Sequence, residues 1–245
     1  MLIPSIVIGV AALLLIVLTF IRRKSPAALR SIEAFERLKH AAGVSVETGT
    51  RLHISLGRGN LLTSRSGSVF AGLALLRRLA ERASVSDRPP VVTSGDAAVT
   101  LFSQDTLQAG YKAAGADDQY RVSTGRLTGL TPFAYAAGTI PVMRDENVSA
   151  NVAIGNLGVE AALLAEAADR QDAHLIASSD NLSAQSVLYA TAQEPLIGEE
   201  LFAAGAYVGA GASHEASVQV QDILRWLVIL TILAGAVLKL LGVSF

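Results

Sequence analysis

The 245-residue chain has no cysteine. Disulfide frameworks, thiolate nucleophiles and Cys-ligated metal sites are excluded, and redox chemistry by the chain itself is not expected. Charge of either sign is scarce and balanced: 20 Lys+Arg stand against 21 Asp+Glu, for a formal net charge of -1. No global field draws nucleic acid or an acidic substrate, and nucleic acid is not expected among the partners.

Several sequence signatures of catalysis and cofactor binding are also missing. Gly57-Arg58-Gly59 begins like a dinucleotide fingerprint, but Leu62 stands where the third glycine belongs, and no G-x-x-x-x-G-K-[ST] occurs. The four histidines, His40, His53, His174 and His214, lie far apart in sequence and form no metal-ligand spacing, so each is read as a surface or interface residue. No G-x-S-x-G elbow is present. The acidic pairs Asp117-Asp118, Asp145-Glu146 and Glu199-Glu200 are sequence neighbours, which do not face one another on a helix and read as caps or solvated loops. No catalytic residue, metal or cofactor is expected.

What the chain does have is apolar residues, 51% of the total with a mean hydropathy of +0.44, concentrated at its two ends. Residues 2–21 carry no charge. At about 1.5 Å per residue they make a helix of about 30 Å, the thickness of a bilayer's hydrocarbon core. No basic residue precedes this run, whereas Arg22, Arg23 and Lys24 follow it, which reads as an uncleaved anchor rather than a secretory signal. Residues 223–241 form a second candidate span, with Arg225 and Trp226 at its near edge. Lys239 lies near the far end, where its stem can carry the ammonium to the headgroups. Basic residues on the domain side of the first span predict both termini outside and the central domain cytoplasmic.

Between the spans, residues 22–50 comprise a basic flank and an amphipathic stretch with Leu29, Ile32, Phe35 and Leu38 at three-residue spacing, which predicts a helix over 26–42. Residues 51–222 alternate strand-like runs (52–56, 90–93, 120–123, 151–154 and 174–177) with helix-like ones (69–83, 97–114, 132–144, 159–170 and 183–192). The pattern predicts an α/β domain with a mostly parallel sheet covered by helices, flanked by one transmembrane helix at each terminus.

The strand-to-helix junctions are rich in Ser, Thr, Asp, Asn and Gly, as in Thr93-Ser94-Gly95-Asp96, Gly155-Asn156-Leu157-Gly158 and Ser178-Ser179-Asp180. Such residues turn the chain and cap helices, with Asp96 and Asp180 placed as N-caps, but in a parallel sheet they also collect along the carboxyl edge where ligands bind. Any ligand is expected near Gly57, Gly59, Gly155 and Gly158. Small residues in the spans (Ser5, Gly9 and Ala12; Ala234, Gly235 and Ala236), together with Gly205 and Gly209, allow close helix approach.

Four stretches carry a family resemblance: Ser86-Asp87-Arg88-Pro89-Pro90-Val91-Val92, Pro132-Phe133-Ala134-Tyr135-Ala136-Ala137-Gly138, the run from Glu194-Pro195-Leu196 to Gly205-Ala206-Tyr207, and Gln221-Asp222-Ile223-Leu224-Arg225-Trp226. They resemble an uncharacterised bacterial family of two-span membrane proteins, defined as a domain of unknown function. That resemblance implies one evolved unit and brings no activity, cofactor or site residues. The residues themselves lead to the expectation of a non-enzymatic, membrane-anchored, self-associating scaffold or accessory subunit. Its partners would be the lipid bilayer, further copies of the chain and other membrane proteins. The alternative is a tethered small-ligand-binding or sensory domain.

Overall fold

A computed structural model describes residues 2–63, 66–84, 86 and 88–241. Along the chain lie α1 (Leu2–Arg22), α2 (Glu33–Thr48), β1 (Arg51–Gly57), α3 (Ser66–Ala83), β2 (Val91–Ser94), α4 (Ala97–Ala113) and β3 (Gly125–Leu127). There follow α5 (Pro132–Asp145), β4 (Val148–Asn156), α6 (Ala161–Asp169), β5 (His174–Ser179), α7 (Leu182–Thr191), β6 (Glu194–Leu196), α8 (Glu200–Tyr207) and α9 (Ala212–Leu240). The chain divides into two compact units, the paired terminal segments and Arg30–Ala210.

In the unit of terminal segments, α1 and the apolar part of α9 are each long and apolar enough to cross a membrane. Their large side chains face outward: Ile8, Leu13, Phe20, Trp226 and Ile232 are exposed, as a lipid-facing surface requires. Where the apolar runs stop, polar groups join the two segments: Arg22 Nε donates to Gln219 Oε1 at 2.7 Å and the Ala27 amide to Glu215 Oε2 at 2.8 Å. Helix α9 begins eleven residues before the apolar run, with a polar start (ASHEASVQVQD) that carries these acceptors.

In Arg30–Ala210, six strands form one sheet in the order β3-β2-β1-β4-β5-β6, and every neighbouring pair is parallel. The central strands read as near-continuous apolar runs because both faces are covered. On one face Leu52, Ile54 and Leu56 of β1 pack with Phe35 and Leu38 of α2 and Leu75, Leu76 and Leu79 of α3. On the other, Ala153 and Ala177 meet Tyr135 and Met143 of α5, Leu164 and Ala168 of α6, and Leu188 of α7. The small residues predominant there let the helices lie close to the strands.

The structure departs from the sequence reading at four elements. The strand expected over 120–123 is replaced by two tight turns, with the Tyr120 amide donating to Asp117 O and that of Thr124 to Arg121 O, and β3 starts only at Gly125. Val122 is exposed there, so its β-branched shape found no sheet face to bury. The helix expected over 26–42 starts at Glu33, because the chain is extended at Ile32 (φ -119°, ψ 113°). Strand β6 went unread because it is three residues long and holds Pro195, which an edge strand tolerates. Helix α8 follows it within a run of small residues that carries little periodicity.

Candidate functional site

Strand β1 continues through α3 to β2 on one side, and β4 continues through α6 to β5 on the other, so the connections diverge beyond the carboxyl ends of two adjacent strands. A sheet of this order opens a crevice at that switch point, where doubly wound folds hold their ligands. Gly57 ends β1 and Gly155 is the last residue but one of β4, and Gly59 and Gly158 follow in the loops.

The chain itself accounts for the glycines. Gly57 has φ +67° and a Cβ on it would lie 2.3 Å from Asn156 O; Gly155 has φ +141° and its Cβ would lie 2.3 Å from Leu56 O. The two residues let the strands approach across a register shift between Ser55 and Gly57. A Cβ at Gly59 would strike Val69 Cγ2, and one at Gly158 would strike Glu160 Oε2.

The side chains around these glycines line the crevice. Arg58 Nε donates to Glu160 Oε1 at 3.0 Å, and Glu160 is 1% exposed with Oε2 buried and without a hydrogen-bond partner. Asn60 Nδ2 donates to Asp96 Oδ2 at 3.3 Å, and Asp96 Oδ1 also caps α4 through the Val99 amide. Asp180 accepts from Asn156 Nδ2 at 2.7 Å and from the Ser68 hydroxyl at 2.8 Å. Asn181 rather than Asp180 therefore caps α7, through the Ser183 amide. Among the described residues these loops bring three carboxylates, Asp96, Glu160 and Asp180, and one guanidinium, that of Arg58, which pairs with Glu160 alone. Acceptors dominate, which favours a ligand bearing hydroxyl or amine donors over a phosphate. No group of three or more potential metal ligands occurs among the described residues. Leu62 and Val159, on the connections that follow β1 and β4, are exposed.

Beneath the crevice lies a buried polar network. The Tyr135 hydroxyl, brought by α5, meets Ser55 Oγ at 2.6 Å and accepts the Gly57 amide at 3.2 Å. His53 Nδ1 lies 2.8 Å from Asn151 Oδ1, so Nδ1 carries the proton and Nε2 accepts from the Thr93 hydroxyl at 2.9 Å. Burial pushes the His53 imidazole down to about 4; the Asn151 hydrogen bond opposes that shift and the Arg126 charge adds to it. The surface reading of the histidines thus fails at His53, which is fully buried: alternation in β1 puts it on the face covered by α5, where neutral partners are at hand. Burial also pushes the Tyr135 hydroxyl up.

The sequence pointed to the junctions that hold Arg58, Asp96, Asn156 and Asp180, and Asn60 lies just beyond the first of them. It missed Glu160, Tyr135 and His53. A signal existed for Glu160, an acidic residue two positions after Gly158 at the start of a helix; Tyr135 and His53 carried none that separates them from ordinary core residues. The acidic pairs have structural roles where they are engaged: Glu146 bridges Arg51 and Arg126, and Glu200 meets Arg30.

Comparison with curated proteins and with solved structures finds no match. Residues 1–245 match the family described as a domain of unknown function, DUF6754, and the chain belongs to that family over its whole length.

Proposed function

We propose that Arg30–Ala210 is a membrane-tethered, non-enzymatic receptor domain for a small polar molecule bearing hydroxyl or amine donors, held in the crevice between β1 and β4. One observation carries the reading: the Glu160 carboxylate is buried beside that crevice with Oε2 lacking a partner. A buried acceptor left unmade costs about 1–3 kcal/mol, and a donor from a ligand would recover it. A few convergent polar groups at the switch point of a parallel sheet are the usual setting of a small-molecule site. The basic residues Arg22, Arg23 and Lys24 beside the first span support an arrangement with both termini outside and the domain cytoplasmic.

The test is thermal stabilisation of the full chain in an uncharged detergent by nucleosides, sugars, polyols, amino acids and polyamines, followed by calorimetry. The expected result is a saturable shift from one class, lost in Glu160→Gln. A panel without a saturable shift, or a shift unchanged in Glu160→Gln, would overturn the reading.

A second reading, self-association through the spans, is favoured by a separate feature. Along α9, Trp226, Leu227, Leu230, Thr231, Ala234 and Gly235 line an apolar groove of about 840 Å³. Nothing lies within 4 Å of a Cβ on Gly235. A helix of another copy would fit such a groove, since small residues admit close backbone approach in lipid. Extraction in mild detergent with mass photometry tests it. A closed oligomer lost in Gly235→Leu is expected, and a strict monomer in both detergent and native nanodiscs would rule it out.

A further inference from the structure

At the opposite, amino-terminal edge of the sheet a polar cavity of about 520 Å³ opens among residues that the crevice does not use. Three guanidinium groups line it: Arg51 at the start of β1, Arg121 in the turn before β3 and Arg126 in β3. Two carboxylates, Glu146 and Asp118, share the lining, which leaves the cavity one positive charge in excess. Glu146 is clamped between two of the arginines, with Oε2 2.9 Å from Arg51 NH1 and Oε1 on Arg126 NH2. That clamp stitches the starts of β1, β3 and β4 together, and as a purely structural device it would need nothing more.

The cavity holds more than the clamp requires. Arg51 Nε is buried without a hydrogen-bond partner. Arg121 is exposed at the cavity, and no salt bridge reaches it among the described residues. Asp118 forms no salt bridge with these arginines among the described residues, and the Glu146 carboxylate alone cannot satisfy forked donors arriving from three chain segments, whereas a tetrahedral group with three or four acceptor oxygens can. The helices α3, α4 and α5 end at this edge with their negative dipole ends, so an anion is held here only through direct contacts with the guanidinium groups.

We infer that this cavity is a second ligand site, independent of the crevice, that binds a phosphoryl group, supplied either as free phosphate or by the headgroup of a phospholipid. Arg121 is its free contact, Arg51 and Arg126 form its walls, and Glu146 holds those walls in place.

The experiment uses the full chain in an uncharged maltoside detergent at constant ionic strength set with chloride. Inorganic phosphate is titrated in one arm and monomeric dihexanoyl phosphatidic acid in the other, with the thermal midpoint and calorimetric heat as readouts. Ligand that binds the native state alone raises the midpoint as its concentration passes Kd. The expected result is a saturable rise in at least one arm for the wild type and for Arg170→Ala, a charge-matched control on an exposed helix end. In Arg121→Ala binding should be about tenfold or more weaker, equivalent to about 1.4 kcal/mol, with an unchanged ligand-free midpoint. A response to inorganic phosphate identifies the free anion as sufficient, and a response to the lipid alone identifies a headgroup site. No saturable rise in either arm, or an Arg121→Ala response equal to the wild type, overturns the inference.

Discussion

Arg58 and Glu160 meet at 3.0 Å across the gap between the two central strands, Glu160 at 1% exposure and Arg58 at 24%. One loop follows β1 and the other follows β4, so the pair ties together the two halves of the sheet at the point where their connections diverge. Removing one partner would leave an uncompensated charge in a confined place. The partial exposure of Arg58 reduces that cost below the roughly 3–5 kcal/mol of a fully buried pair. Glu160→Gln is expected to cost about 1–3 kcal/mol, and a double-mutant cycle with Arg58→Gln should return a coupling of about 1–2 kcal/mol. Urea unfolding in detergent measures both, and additive single effects would show that the pair is not coupled.

Gly49 and Gly57 share a backbone conformation, φ +67° in each, but not an environment. Nothing lies within 4 Å of a Cβ on Gly49, whereas one on Gly57 would lie 2.3 Å from Asn156 O. Gly49→Ala should therefore cost about 1–2 kcal/mol from conformation alone. Gly57→Ala should cost well over that or prevent folding, because backbone must move. Folded yield and urea midpoints of the two variants separate conformational strain from steric exclusion.

His53 makes stability depend on pH. Its folded value of about 4 lies below the ordinary 6.5, so the unfolded chain binds the proton more readily. The sign follows from linkage: its contribution is complete above about 6.5 and falls as pH drops toward 4, by at most about 3 kcal/mol. Its direct partners, Asn151 and Thr93, are neutral, and Arg126 is the charge that acts on it. Thermal midpoints between pH 7.5 and 4.5 should fall more steeply in the wild type than in His53→Gln, and equal slopes would remove His53 as the cause.

Tyr135→Phe keeps the ring and deletes the hydroxyl shared by Ser55 and the Gly57 amide. Leaving those groups unpaired in a fully buried place should cost about 1–3 kcal/mol. Amide exchange at Gly57 should quicken relative to the rest of β1, because its hydrogen-bond acceptor is gone.

The absence of cysteine makes membrane orientation simple to measure. Tyr189→Cys introduces one thiol at an exposed position of α7. An impermeant maleimide should leave it unlabelled in intact cells and label it after permeabilisation. Labelling in intact cells would reverse the proposed orientation.

The apolar ends and the alternating central elements were legible because each rests on a local signal: hydrophobic length for α1 and α9, and short runs with Val, Ile or Leu between longer helical ones for β1, β2, β4 and β5. Strands β3 and β6 were not, since three residues at a sheet edge hold too little pattern to outweigh their neighbours, and in 120–123 an apolar alternation ran through a turn. Glycine in the junctions was visible, but its cause was not: Gly57 and Gly155 are small because β1 and β4 touch there, which depends on a strand order that no local window contains. Glu160, His53 and Tyr135 stayed hidden for the same reason, each being defined by partners far along the chain.

His53 and Asn151, hydrogen-bonded at the centre of the sheet, lie 98 residues apart in the chain. On a ribosome adding about 5–20 residues per second, β1 waits roughly 5–20 s for its neighbour β4 to be made. During that interval β1, β2 and β3 have already emerged while the long side of β1 stays unpaired, an edge that invites pairing with other chains.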